Sequence, residues 1–107
     1  MEQRSSCAVK VLFTKRKELI FISHLDVVRL FIRTFRRANL PILFTQGYHP
    51  RPKISFKRAL PLGVKGKREE MIIRLTERMD LKALKKKLNS FLPKGIQIIK
   101  MTYKEKR

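Results

Sequence analysis

The chain has 107 residues, enough for one domain with a single core, and carries 27 Lys plus Arg against 8 Asp plus Glu, a formal net charge of +19. An excess of this size repels itself unless a polyanion or an acidic partner neutralises part of it, and this puts nucleic acid first among partners. The single cysteine, Cys7, excludes an intramolecular disulfide and any cysteine-ligated zinc or iron–sulfur site, so neither metal nor cofactor is expected; the lack of a long apolar run argues against a leader or a membrane span and for a cytoplasmic protein.

In chain order, residues 1–7 read as a flexible N-terminus, 8–103 as one domain and 104–107 as a charged tail. Between Ala8 and Thr14, Val9, Val11 and Phe13 recur at period two, which predicts a first strand. Lys15 to Lys17 form a charged turn, and Glu18 to Ile22 fit either a short hairpin strand or a lead into the next helix. Ser23 with Asp26 has the spacing of a capping box, so a helix should run from Ser23 to about Ala38, with Pro41 preventing much extension. Its apolar face is expected from Val28, Phe31, Ile32 and Phe35, and a second face gathers Arg29, Arg33, Arg36 and Arg37.

After the tight exit at Asn39 and Leu40, Ile42 to Thr45 read as a short strand, and Ile54 to Phe56 add edge pairing. Val64 to Arg68 form a basic turn, and Met71, Ile73 and Leu75 alternate within a central strand from Glu70 to Thr76. Asp80 is a good N-cap for a second helix of about a dozen residues, with Leu84 and Leu88 inward and Lys82, Lys85, Lys86 and Lys87 outward. Pro93 and Gly95 end it, and Ile96 to Tyr103 form the last strand. The core should include Val11, Phe13, Val28, Phe31, Phe35, Ile73, Leu84 and Leu88. This order predicts an α+β, ferredoxin-like βαββαβ fold, a four-stranded antiparallel sheet with two helices on one face. The aromatic strand signature of RNA-recognition domains is absent, so RNA would be held through arginines and the proline-rich loop.

That loop, Gly47 to Gly63, contains Pro50, Pro52 and Pro61, which fix φ and bias the preceding residues toward extended conformations. It is therefore stiff although irregular. Alternation would display His49 and Arg51 together, with Tyr48 beside them and Lys53, Lys57 and Arg58 following, a set suited to a phosphate-bearing partner.

Three motifs carry a resemblance: Phe21-Ile22-Ser23-His24-Leu25-Asp26, Gly47-Tyr48-His49-Pro50-Arg51-Pro52-Lys53-Ile54-Ser55-Phe56, and Ala59-Leu60-Pro61-Leu62-Gly63-Val64. Together, over about Val9 to Ile73, they resemble the uncharacterised radical SAM-linked protein family, of whose longer members this chain corresponds to the N-terminal part. The chain departs from that pattern where His49-Pro50-Arg51-Pro52 replaces the more usual Asn-Pro-His-Pro, and where Lys65 replaces an acidic residue. The resemblance implies partnership with a radical SAM protein and an RNA-directed role.

The expected function is a non-enzymatic, RNA-binding accessory module that works with a radical SAM enzyme through Arg29, Arg33, Arg36, Arg37, Tyr48, His49, Arg51, Lys53, Lys57 and Arg58. One alternative is a protein-binding adaptor whose basic surface meets acidic patches on that enzyme. Another is a metal-independent endoribonuclease, similar to CRISPR repeat-processing enzymes, in which His24 and His49 would supply acid–base chemistry and Tyr48 and Lys53 would assist.

Overall fold

A computed structural model describes residues 6–104 of the chain. It contains β1 (Cys7–Lys15), a 3₁₀ turn (Lys17–Phe21), α1 (His24–Arg37), β2 (Ile54–Phe56), β3 (Gly66–Leu75), α2 (Leu81–Phe91) and β4 (Ile96–Tyr103). All strand pairs are antiparallel, in the spatial order β2-β3-β1-β4, which is the ferredoxin-like order. β1 begins at Cys7, inside the stretch read as a flexible N-terminus; of that stretch residues 1–5, and of the charged tail residues 105–107, lie outside the described residues.

Val9, Val11 and Phe13 of β1 face the same side as Met71, Ile73 and Leu75 of β3, since Val9 pairs with Ile73 and Val11 with Met71. The same buried cluster takes in Val27, Phe31 and Phe35 of α1, Leu84 and Leu88 of α2, and Ile96, Ile98 and Met101 of β4. Both helices therefore share one face of the sheet. Burying these side chains drives the fold, because each removes apolar surface worth about 25 cal/mol per Å² from water.

The helix boundaries follow from their caps. Ser23 Oγ accepts the Asp26 N–H at 3.1 Å, whereas the Asp26 carboxylate, instead of closing the box, lies 3.5 Å from Arg29. At the other end Asn39 takes a left-handed φ of 54°, the Leu40 N–H reaches Phe35 O and the Asn39 N–H reaches Arg36 O, each at 3.0 Å. This is a complete Schellman exit with the buried Leu40 as its apolar anchor. In α2, Asp80 Oδ1 accepts the N–H groups of Lys82 and Ala83 at 3.1 and 3.4 Å.

Three expectations are corrected and one alternative left open is decided. The buried stripe of α1 runs through Val27, Phe31, Thr34 and Phe35, so Val27 occupies the core position assigned to Val28, which lies half-buried at its flank. The second strand of the sheet is Ile54–Phe56, paired with β3 through Ile54–Ile73, Ser55–Ile72 and Phe56–Met71. Residues 42–45 make only isolated bridges, Ile42 to Leu75 and Phe44 to Pro52. β3 starts at Gly66, not Glu70, because its pairing with β1 continues past an irregularity to Lys15. Glu18 to Ile22 form no strand, and 17–21 wind into the 3₁₀ turn.

The phase of α1 is testable by urea unfolding. Val27→Ala should cost about 2 kcal/mol and Val28→Ala less than half of that, since only the first vacates fully enclosed volume. Equal losses would contradict the observed rotation of the helix.

Candidate functional site

The four arginines of α1 occupy positions two residues after the buried Val27, Phe31, Thr34 and Phe35. At 100° per residue this offset turns them about 200° away from the core, and Arg29, Arg33, Arg36 and Arg37 are all exposed. Arg37 also stacks over the Phe91 ring, its guanidinium carbon 4.7 Å from the centroid.

The proline-rich segment does not run as a free extended loop. It folds back on residues 42–45, with the Thr45 N–H bonded to Arg51 O at 2.8 Å, the Arg51 N–H to Thr45 Oγ1 at 3.0 Å and the Lys53 N–H to Leu43 O at 2.8 Å. The Leu43 N–H in turn reaches Arg74 O of β3 at 2.8 Å. A narrow ribbon results, anchored on the sheet, with Tyr48 (99% exposed) and His49 at its tip and Arg51 exposed on its return. Lys53 is half-buried at its base.

The arginine face and the ribbon meet at one groove. Ile32, Phe35, Arg36, Leu40, Phe44 and Pro52 line a hollow of about 250 Å³ in which Arg36 supplies a cation beside flat, apolar surface. Phe44 stays 40% exposed there, an open face against which a planar ring can stack. The outer face of the sheet is different: from the alternation of β1 and β3 it carries Lys10, Leu12, Ile72 and Arg74, without an aromatic ring at those positions.

Two predicted binding residues are engaged within the protein. Arg58 grips Glu69 through two bonds, Nε to Oε1 at 3.0 Å and Nη2 to Oε2 at 2.5 Å, and this bond and charge hold the guanidinium pKa above its ordinary value. Lys57 lies 4.0 Å from Glu70, a loose pair of an exposed lysine with a half-buried glutamate.

The ring of His24 is likewise engaged. Its Nδ1 accepts the Leu60 N–H at 3.1 Å, and it meets the Phe56 ring in a T-shaped contact with centroids 4.9 Å apart. The two contacts make the ring a strut between α1 and the third motif. His49 sits instead on the exposed bend at the ribbon tip. Among the described residues no group of three or more His, Cys, Asp or Glu side chains is placed to hold a metal ion, and no helix is long and apolar enough to cross a membrane.

A buried polar knot lies beneath His24 and was not foreseen. Lys15 is only 1% exposed, and its Nζ donates to Ile22 O at 3.0 Å and Pro61 O at 3.4 Å. Glu69, also buried, pairs with Phe13 in the β1–β3 ladder, near enough for its charge to act on the ammonium. A Cβ at Gly66 would come 2.8 Å from the Glu69 side chain, so a glycine there leaves room for the carboxylate. The signal was present in the alternation: Lys15 continues the inward series Val9, Val11, Phe13, and Glu69 continues Met71, Ile73, Leu75.

Residues 9–107 match the family described as an uncharacterized protein conserved in bacteria (DUF2344). The chain belongs to this family. No curated protein and no solved structure matches it. The match to DUF2344 starts within β1 and takes in the arginine face, the ribbon and the buried knot.

In this DUF2344 chain, burial lowers the pKa of Lys15 from its ordinary 10.5, and the Glu69 charge opposes that shift. The unfolded chain holds the lysine proton to higher pH than the folded one, so between the lowered value and 10.5 stability rises with pH. A carbon-detected NMR titration of the lysine ε-methylenes should show Lys15 titrating before the exposed lysines. Glu69→Gln should move it lower still. Lys15 titrating together with the surface lysines would show that its ammonium is solvated.

Proposed function

We propose that the chain is a non-enzymatic, basic accessory module that binds single-stranded RNA along α1 and the adjoining ribbon. The observation that carries this reading is the groove shared by Arg36, Phe44 and Pro52. It sets a phosphate-binding cation beside an exposed ring, on a helix face whose other arginines extend the positive surface. Sequence-tolerant recognition of single strands combines these two elements, a basic track for the backbone and an aromatic platform for the bases. Tyr48, His49, Arg51 and Lys53 extend the contact along the ribbon. The similarity of the three motifs to radical SAM-linked proteins supports a partnership with a radical SAM enzyme, in the cytoplasm.

A second reading, a protein-binding adaptor, is favoured by one separate observation. Phe21, Leu25, Leu62 and Val64 are 68%, 55%, 63% and 51% exposed, and the Gly63 N–H bonds Ile20 O at 2.6 Å, which sets the third motif beside the first. Large apolar side chains gathered in this way mark surfaces that bind protein. The two readings are compatible in one molecule because they use different residues. For the endoribonuclease reading the geometry offers little support, since the His24 ring is held by Leu60 and Phe56.

The test is a salt titration of binding to short single-stranded RNA. Neutralising about five phosphates gives a log–log slope near −3.5, so affinity should fall roughly a hundredfold between about 50 and about 200 mM salt. Replacing Arg29, Arg33 and Arg36 together by Gln should flatten the slope by about two units. Phe44→Ala should weaken binding by about 1–3 kcal/mol with the slope unchanged, because it removes stacking and no charge. No binding at low salt would replace RNA by an acidic protein partner.

A further inference from the structure

A second basic hollow, of about 610 Å³, opens beside β4, the edge strand of the sheet, and shares no residue with α1 or with the segment 41–63. Arg16, Lys17, Lys67, Lys85 and Lys94 surround it with Gln97, and no carboxylate lines it. Three of the chain's acidic residues are paired elsewhere, Asp26 with Arg29, Glu69 with Arg58 and Glu70 with Lys57. The lining thus holds five cations and no carboxylate, an arrangement that gathers positive potential in a concave place.

The walls are fixed before any ligand arrives. The Asn89 side chain accepts the Ile98 N–H at 2.8 Å and donates to Ile98 O at 3.0 Å, and Lys85 Nζ donates to Ile99 O at 3.1 Å. Lys85, expected only as part of a solvated helix face, is thus held against the strand. These bonds occupy the backbone of the β4 edge, so the hollow is not a free edge for another strand. On the opposite wall the Arg16 N–H bonds Gly95 O at 2.7 Å, and a Cβ at Gly95 would lie 2.6 Å from both Arg16 O and Leu19 Cγ. That close approach seats Arg16 and Lys17 against Lys94. Lys17 takes a left-handed φ of 57°, a strained conformation for a lysine, held by the turn that presents it.

We propose that this hollow binds a linked-phosphate anion, a di- or triphosphate group, carried either by the 5′ end of an RNA or by a free nucleotide. Cations that come from β3, α2 and the loops flanking β1 and β4 line one hollow, which suits an anion whose charge is concentrated. A spread-out backbone is matched better by the linear face of α1. Lysines act as point charges on separate phosphate oxygens, and Arg16 adds a fork that can take two.

The test is calorimetry with inorganic triphosphate and the whole chain, at physiological salt. One saturable site is expected, weakened about tenfold or more by Lys17→Gln with Lys94→Gln, and by Lys67→Gln with Lys85→Gln as a second pair, since each pair removes two charge-assisted bonds. Arg29→Gln, Arg33→Gln and Arg36→Gln together should leave triphosphate binding unchanged. Binding that does not saturate, or that falls equally in all three variants, would show diffuse attraction and overturn the proposal. Two RNAs of one sequence, 5′-triphosphorylated and 5′-hydroxyl, separate the sources. A preference for the first that disappears in the Lys17/Lys94 variant assigns the RNA end; equal binding of both, with saturable binding of a nucleoside triphosphate, assigns the free nucleotide. Loss of all RNA binding with triphosphate binding intact would remove the reading for α1 and leave this one standing.

Discussion

The ammonium of Lys15 is the contact on which the arrangement of the candidate surface depends. Lys15 is the last residue of β1, and its ammonium holds two carbonyls that belong to different segments, Ile22 just before α1 and Pro61 at the far end of the proline-rich stretch. A lone buried cation is costly, and its accommodation requires both those acceptors and a nearby opposite charge, which Glu69 supplies. Glu69 in turn fixes Arg58, while His24 takes the Leu60 amide and packs on Phe56. Three motifs widely separated along the chain are in this way joined into one rigid piece, and the start of α1 and the exit of the ribbon are set by the same few polar atoms.

This has consequences for how the positive charge is used. Lys15, which looks like part of the basic surface in the sequence, serves the interior, and the exposed Arg58 is tied to the buried Glu69. Two concave places on the surface carry cations, the groove beside the arginine face and the hollow beside β4, and an apolar patch lies at Phe21, Leu25, Leu62 and Val64. A fold of this class places no restriction on which face is used, so the assignment rests on side-chain chemistry. The sheet face that RNA-recognition domains employ lacks the rings here, and the ring that is available, Phe44, stands beside Arg36 instead.

Much of the scaffold was legible in the sequence because its signals are local. Alternation of Val9, Val11 and Phe13 located β1, and Ser23 and Asp80 located the starts of the helices to within a residue. The arginine face followed from spacing alone. The phase of α1 was misjudged by one position because Phe31 and Phe35 are shared by stripes beginning at either Val27 or Val28, and only tertiary packing distinguishes them. β2 was ambiguous for a similar reason: 42–45 is as apolar as 54–56, and the choice is made by which of them pairs continuously with Ile72 and its neighbours. The Lys15–Glu69 knot went unread since charged residues at strand ends normally face water, although the period-two count put both inward. The hollow beside β4 has no sequence signature, because its cations come from four separated places in the chain.

The most direct test of the proposed RNA surface is an amide NMR titration of the isotope-labelled chain with a short single-stranded RNA. Fast, saturable shifts should centre on Arg33, Arg36, Phe44 and the ribbon around Tyr48 and Arg51, with Lys10, Ile72 and Arg74 on the open sheet face little affected. Shifts concentrated on the open sheet face, or confined to Phe21, Leu62 and Val64, would contradict an RNA surface built on α1 and the ribbon.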